Sequence, residues 1–323
     1  MGYLILDDIA YISNDIHQKH KGTEIKDNDV LLNITGASIG RTAIATKDVD
    51  GGNVNQHVCI IRSNGKIDPR FLCDYIQTDK IQKYIQGLQT GGSREGLNFE
   101  QIRSFPICLP TICEQKKIAK LLDLINERIA TQVRIIERLE TLIRGIRYNA
   151  FKDIQGKVFH LCDIADIYQP QTISSSDLTT NGFPVYGANG VIGKYKTYNH
   201  ETAQICITRR GNTCGTVNYT QPKAWITGNS MVVNIDKHKN EVNKRYLYHY
   251  LSEYNFKTII SGSGQPQIVR TPLERIRITL PTIEKQAKVA HSMDLLLEKI
   301  GTEISVRSLL EKQKQYLLRQ MFI

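Results

Sequence analysis

Several groups of residues in this 323-residue chain have types and spacings that can do chemistry. Glu24-x-Lys26, with Asp7 or Asp8 upstream, can hold magnesium and position a water for phosphodiester hydrolysis, although the pattern is short and common. His17 and His20 stand three apart, yet no clear third metal ligand accompanies them. Gly36-Ala-Ser-Ile-Gly40-Arg41-Thr42 imitates a phosphate-cradling loop but is one residue short between its glycines and carries Arg where Lys is needed. The seven cysteines (Cys59, Cys73, Cys108, Cys113, Cys162, Cys206, Cys214) include no C-x-x-C pair, so they are expected as reduced, mostly buried thiols of a cytoplasmic protein rather than zinc ligands. The (Asp/Asn)-Pro-Pro-(Tyr/Phe) string of an adenine methyltransferase does not occur.

A larger group suits recognition rather than catalysis. Reading base edges in a DNA groove takes Arg, Lys, Asn and Gln side chains, whereas phosphate contacts only position the protein. Such residues cluster in three glycine-punctuated stretches of the second half: Asn189 with Lys194, Tyr195 and Lys196; Arg209, Arg210 and Asn212; and Gln265, Gln267 and Arg270. Their counterparts in the first half are Arg41, Asn55, Gln56 and Arg94. Each has a plainer reading too, since Gly36, Gly40, Gly190 and Gly211 can simply permit positive φ and Asn55 can satisfy backbone groups at a strand end. The net charge of +10 favours a polyanionic partner, and 41% hydrophobic with 23% charged residues is the balance of a globular chain with room for two cores. No apolar run approaches the roughly 18 residues of a membrane span, and neither a span nor a signal peptide is expected.

These loops are positioned by elements that occur twice. Leu109-Pro110-Thr111-Ile112 returns as Leu280-Pro281-Thr282-Ile283, and 11 of the 21 positions from Leu109 to Ile129 are identical at the same offset. Among them are Gln115/Gln286, Lys117/Lys288, Ala119/Ala290 and Asp123/Asp294, and further on Phe151 matches Phe322. With a few residues of slippage Gly36-x-x-x-Gly40 matches Gly211-x-x-x-Gly215. After each Leu-Pro comes a seam at spacings of three and four: Ile118, Leu122, Ile125, Ile129, Val133 and Ile136, then Val289, Met293, Leu296, Ile300 and Ile304. Proline just ahead of each seam marks a helix start, and about 36 residues at ~1.5 Å each make rods of roughly 50 Å that pack antiparallel. Between them, 29–34, 58–61, 204–207 and 231–235 are expected as short strands, with helices at Pro69 to Gln86 and Asn243 to Lys257. The expected fold is α+β: two α/β domains (1–108 and 152–279), separated and followed by helical regions (109–151 and 280–323) that form an antiparallel coiled coil.

The duplicated order resembles the specificity subunit of type I restriction-modification enzymes. Leu109-Pro-Thr-Ile-Cys-Glu-Gln-Lys-Lys-Ile-Ala119 and Leu280-Pro-Thr-Ile-Glu-Lys-Gln-Ala-Lys-Val-Ala290 are similar to that family's helix entry, and Leu161-Cys-Asp-Ile-Ala-Asp-Ile167 to the opening of its recognition domains. The resemblance implies a non-catalytic subunit that reads a bipartite site in double-stranded DNA. It further implies partners, namely modification (methyltransferase) subunits held by the helical regions and restriction (endonuclease/translocase) subunits. S-adenosylmethionine, ATP and magnesium would then belong to those partners, with no cofactor in this chain. One departure stands out: in the second domain Gly211 comes 51 positions after His160, and in the first Gly36 comes only 35 positions after Met1, so the first recognition domain reads as N-terminally truncated. Two other readings stay open on sequence alone, a silent or degenerate specificity cassette acting as a scaffold and a magnesium nuclease built on Glu24.

Overall fold

The computed structural model describes residues 4, 6, 9–89, 96–262 and 265–322. They fold as two units, Met1–Ile135 with Glu303–Ile323, and Ile136–Thr302. Asp7, Asp8 and Arg94 lie outside the described residues.

In the first unit, α1 (Asn14–Lys19) precedes an antiparallel sheet of β1 (Val30–Asn33), β2 (Thr42–Ile44) and β3 (Val58–Ile61), in the order β2-β1-β3. Strand alternation sends Val30 and Leu32 into the main core and Leu31 into a smaller one with Ile25 and Ala45. Two helices follow, α2 (Pro69–Ile76) and α3 (Asp79–Gln89), where sequence periodicity predicts a single helix. The break is local chemistry: the Thr78 hydroxyl donates to the Tyr75 carbonyl at 2.7 Å and also caps the Ile81 amide, ending one helix and starting the next. Then come α4 (Phe99–Arg103), opened by an Asn98/Gln101 capping box, and the long α5 (Ile112–Lys152).

The second unit opens with β4 (Lys157–His160), α6 (Leu161–Ile164) and β5 (Asp166–Tyr168). A hairpin of β6 (Phe183–Gly187) and β7 (Gly190–Tyr195) leads to β8 (Ile205–Thr208), β9 (Val217–Tyr219), β10 (Trp225–Ile226) and β11 (Ser230–Asn234). It closes with α7 (Lys244–Glu253), α8 (Arg270–Glu274), β12 (Arg277–Leu280) and α9 (Ile283–Met321). The main sheet runs β5-β11-β8-β9, a second runs β10-β6-β7, and β12 pairs with β4. Tyr246, Leu247 and Leu251 of α7 pack against Ile205, Ile207, Met231 and Val233 of the main sheet.

Each unit contains a helix pair. In the first, Ile118, Ala119 and Leu122 pack near Leu317, Leu318 and Phe322, while Asn126 and Ile129 share a groove with Ser308 and Glu311. In the second, Val289 and Ala290 join the core that Phe151 packs on, and Ile136 and Ile143 meet Leu296 and Ile300. Numbers rise along one helix as they fall along the other, so both pairs are antiparallel. The expected seam residues from Ile118 to Ile136, and Val289 to Ile300, are all buried or half-buried. Ile304 is the exception: it is 44% exposed, and Glu303 is buried at that level. Stepping four residues from Leu296 to Ile300 and four again to 304 overshoots the mean of 3.5 that keeps a seam facing its partner, and the three-residue step lands on 303.

The sequence repeat returns as a repeat of bonds. Gln115 is 1% exposed, accepts from the Asp68 amide at 2.8 Å and donates to the Pro110 carbonyl at 2.9 Å. Gln286, equally buried, does the same with the Asn243 amide (2.9 Å) and the Pro281 carbonyl (2.9 Å). Asp68 and Asn243 in turn cap α2 and α7. Arg70 pairs with Asp123, and Arg245 with Asp294. The aromatic fit is repeated but crossed over in sequence. Phe322, at the end of the second repeat, packs on Phe71 and Tyr75, whereas Phe151, at the end of the first, packs on Tyr246 and Tyr250.

Candidate nucleic-acid interface

In the second unit, loops distant in sequence converge where β8 ends. The β6–β7 turn arrives because the Thr208 hydroxyl donates to the Ala188 carbonyl, leaving Asn189 exposed at the tip. The Arg209 amide donates to the Asn229 carbonyl at 3.0 Å, drawing in the loop before β11. The Ile268 amide donates to the Arg209 carbonyl at 2.9 Å, and the Gly211 amide to that of Pro266 at 3.1 Å, which brings Gln265 and Gln267 alongside. Gln169, just after β5, accepts a hydrogen bond from the Arg209 guanidinium. Loop 209–215 is closed by Gly215, whose φ is +92° and where a Cβ would stand 2.8 Å from the Cβ of Phe256, so a side chain is refused twice over.

Six expected residues therefore share one site: Asn189, Arg209, Arg210, Asn212, Gln265 and Gln267. Arg210, Asn212, Asn189 and Gln265 are exposed and Arg209 is half-buried. Burial and the neighbouring Arg210 charge both push the Arg209 guanidinium below its usual range. Among the described residues no carboxylate pairs with either arginine. The site is a positive, glycine-hinged surface carrying amide and guanidinium donors, the equipment for groove contacts.

The remaining expected residues of this unit lie elsewhere. Lys194 and Tyr195 end β7 and Lys196 follows it, four or more residues from the turn and ~13 Å away at ~3.3 Å per residue. There Tyr195 packs edge-on against Trp225 at 5.0 Å, and the Lys196 ammonium lies 5.8 Å from the Tyr195 ring centre. Arg270 begins α8 and is tied to Glu274 at 2.7 Å.

The first unit builds the same frame with other side chains. The Ile34 amide donates to the His57 carbonyl (2.9 Å) and its carbonyl accepts from the Leu97 amide (2.8 Å), matching the two bonds at Arg209. Thr35 bridges to Gly96 as Arg210 does to Gln267, and the Gly40 amide bonds the Asn33 carbonyl as that of Gly215 bonds Thr208. Arg41, Asn55 and Gln56 are exposed in or beside this frame. Asn55 accepts from the His57 amide at 3.0 Å, shaping the turn, and Thr35 is 2.6 Å from His57 Nδ1. Among the described residues of this unit, nothing corresponds to β5 or to the β6–β7 hairpin. Gln169 escaped sequence reading because its partner Arg209 lies 40 positions away along the chain.

Other chemistry gains no geometry. His17 Nδ1 is 2.7 Å from the side-chain amide oxygen of Asn53, and the described residues contain no group of three or more His, Cys, Asp or Glu able to hold a metal ion. Nor is any helix among them long and apolar enough to cross a membrane.

Comparison with known proteins agrees with this arrangement. A family model described as the type I restriction modification DNA specificity domain matches twice, over residues 7–141 and 154–312. The chain is 22% identical over 298 residues to the type I restriction enzyme EcoprrI specificity subunit of Escherichia coli, covering 85% of this chain and 72% of that one. It is 28% identical over 156 residues to the Escherichia coli EcoBI specificity subunit, covering 47% and 32%. Its fold is similar to the crystal structure of a type I restriction-modification S subunit from M. genitalium, with a TM-score of 0.68 at 19% identity over 93% of this chain and 84% of that one. A second similar chain, from a structure concerned with assembly and conformational transition of the type I R-M system, has a TM-score of 0.58 at 18% identity, covering 93% and 82%.

Proposed function

Because the chain belongs to the type I restriction modification DNA specificity family, we propose that it reads a bipartite double-stranded DNA site, one half-site per unit, and directs adenine methylation and restriction carried out by partner subunits. The observation that carries this reading is the duplicated loop frame: two sets of clamped, glycine-hinged loops, at 34–41 with 57 and 96–97, and at 209–216 with 229 and 267–268. Two similar frames bearing different side chains suit two different half-sites.

The helix pairs serve in this reading as the spacer and as the seat of two modification subunits, to which restriction subunits add. S-adenosylmethionine, ATP and magnesium are supplied with those partners. This chain contributes selection and registration, and the compartment is the cytoplasm.

Methylome sequencing of cells with and without this gene tests the proposal. The expected result is a bipartite methylated motif that vanishes with the gene. An unchanged methylome, together with gel shifts showing no salt-sensitive DNA binding by the chain and its methyltransferase partner, overturns it. A motif with a single half-site would assign reading to the second unit alone.

A further inference from the structure

Arg209 differs in kind from the other polar residues of its site. Its backbone is clamped on both sides, by Asn229 and by Ile268, so its Cα is fixed relative to β8. Its guanidinium leans on the neutral amide oxygen of Gln169, while its Nε is buried without a hydrogen-bond partner. A half-buried cation whose Nε is enclosed and unpaired, with no carboxylate partner, is a costly arrangement that becomes favourable when acceptors arrive. Gln169 matters because it orients without neutralising. A carboxylate there would satisfy the fork and remove it from use.

The guanidinium is a planar fork whose paired donors match two acceptors lying side by side. In the major groove guanine presents O6 and N7 in that way, and arginine to guanine is the commonest specific contact. Arg210, exposed next to it and bridged through its backbone to Gln267, has the exposure and charge for a phosphate. In the first unit Ile34 occupies the place of Arg209, with the same two backbone clamps, and its side chain packs toward the core. No counterpart of Gln169 exists among the described residues of that unit.

We propose that Arg209, aimed by Gln169 as a positioning residue, reads a guanine in the half-site of the second unit, and that the first unit reads its half-site with no guanidinium at the equivalent place. This rests on the DNA-reading function proposed above.

The test uses the full-length chain produced with its modification subunit in a methylation-free host, with long-read mapping of the methylated motif. Wild type should give a motif with a guanine in one half-site. Arg209→Ala, Arg209→Lys and Gln169→Glu should each make that one position degenerate, lowering the preference for guanine roughly tenfold or more, with the other half-site unchanged. Arg210→Ala should instead weaken binding to all sequences alike and lower the salt slope by about one. Thermal melting checks folding, and Gln169→Glu and Arg209→Lys, which remove no buried bulk, keep the test valid if Arg209→Ala melts. Unchanged specificity in the Arg209 and Gln169 variants, degeneracy in both half-sites, or degeneracy at a base pair other than guanine–cytosine overturns the inference. A wild-type chain yielding no motif overturns the DNA-reading function itself.

Discussion

At the scale of single residues, the most informative pair is Asp74 and His249, which occupy equivalent places on α2 and α7. Asp74 is fully buried and neither carboxyl oxygen has a hydrogen-bond partner. Burial pushes its carboxyl up to about 6, against the pull of Lys314. His249 is also fully buried, and burial pushes it down to about 4. Its Nδ1 faces the Arg147 guanidinium at 3.2 Å, which can only donate, so the proton sits on Nε2 and is given to Asp294 at 2.8 Å. The two groups titrate in opposite senses. Between its ordinary value of 3.8 and about 6, Asp74 keeps a proton that the unfolded chain releases, so stability falls as pH rises through that window. Between 6.5 and about 4 the unfolded chain takes up a proton that buried His249 refuses, so stability falls as pH falls. Asp74→Asn should therefore raise the melting temperature at pH 7.5 and have little effect near pH 4, whereas His249→Gln should flatten the acid limb. Melting curves across pH 4–8 check both. Neither environment was legible in the sequence, where Asp74 sits in an ordinary helix and Arg147 lies on another element.

At the scale of elements, the repeat made much of the fold readable. A constant offset marked both helices, their proline starts and the Gln115/Gln286 pair before any packing was known. Position-by-position identity could not show that each glutamine ties a helix cap to the helix entry. Replacing Gln286 with Ala strands the Asn243 amide and the Pro281 and Glu241 carbonyls. It should cost about 1–3 kcal/mol in denaturant unfolding. The crossing of the two phenylalanines was equally hidden, because matching Phe151 with Phe322 says nothing about which helix each one covers. Removing the Phe322 ring leaves a cavity beside Phe71 and Tyr75, a loss of about 3–5 kcal/mol. Hydrogen exchange on Phe322→Ala should show lost protection in α2 with α7 unaffected, and the reverse for Phe151→Ala. Protection lost equally in both helices would contradict the pairing.

At the scale of the whole molecule, sequence alone delivered the class, the duplicated plan and the position of the loops, but not which loops meet. Spatial convergence at the end of β8 joined six of the expected residues and left Lys194–Lys196 at the far end of a strand. The proposed spacer role makes its own prediction. A seven-residue insertion after Ile129 of α5, matched by one after Ser308 of α9, keeps the seam in register and adds ~10.5 Å of helix. The DNA spacer should lengthen by about three base pairs at ~3.4 Å each, with both half-sites unchanged. Methylome mapping reads this directly, and an altered half-site with an unaltered spacer would refute it. The paired glutamine staples, arginine–aspartate bridges and aromatic fits have one more consequence. Both mounting points share these three fittings and differ at one place, the buried Asp74 carboxyl near Lys314 at the first and His249 between Arg147 and Asp294 at the second. Under the DNA-reading function proposed above, a head from one position, or from another chain with the same fittings, should mount at either once that one contact is matched. New target sequences then become reachable by exchange of whole parts, in one step, rather than by slow revision of individual loop residues.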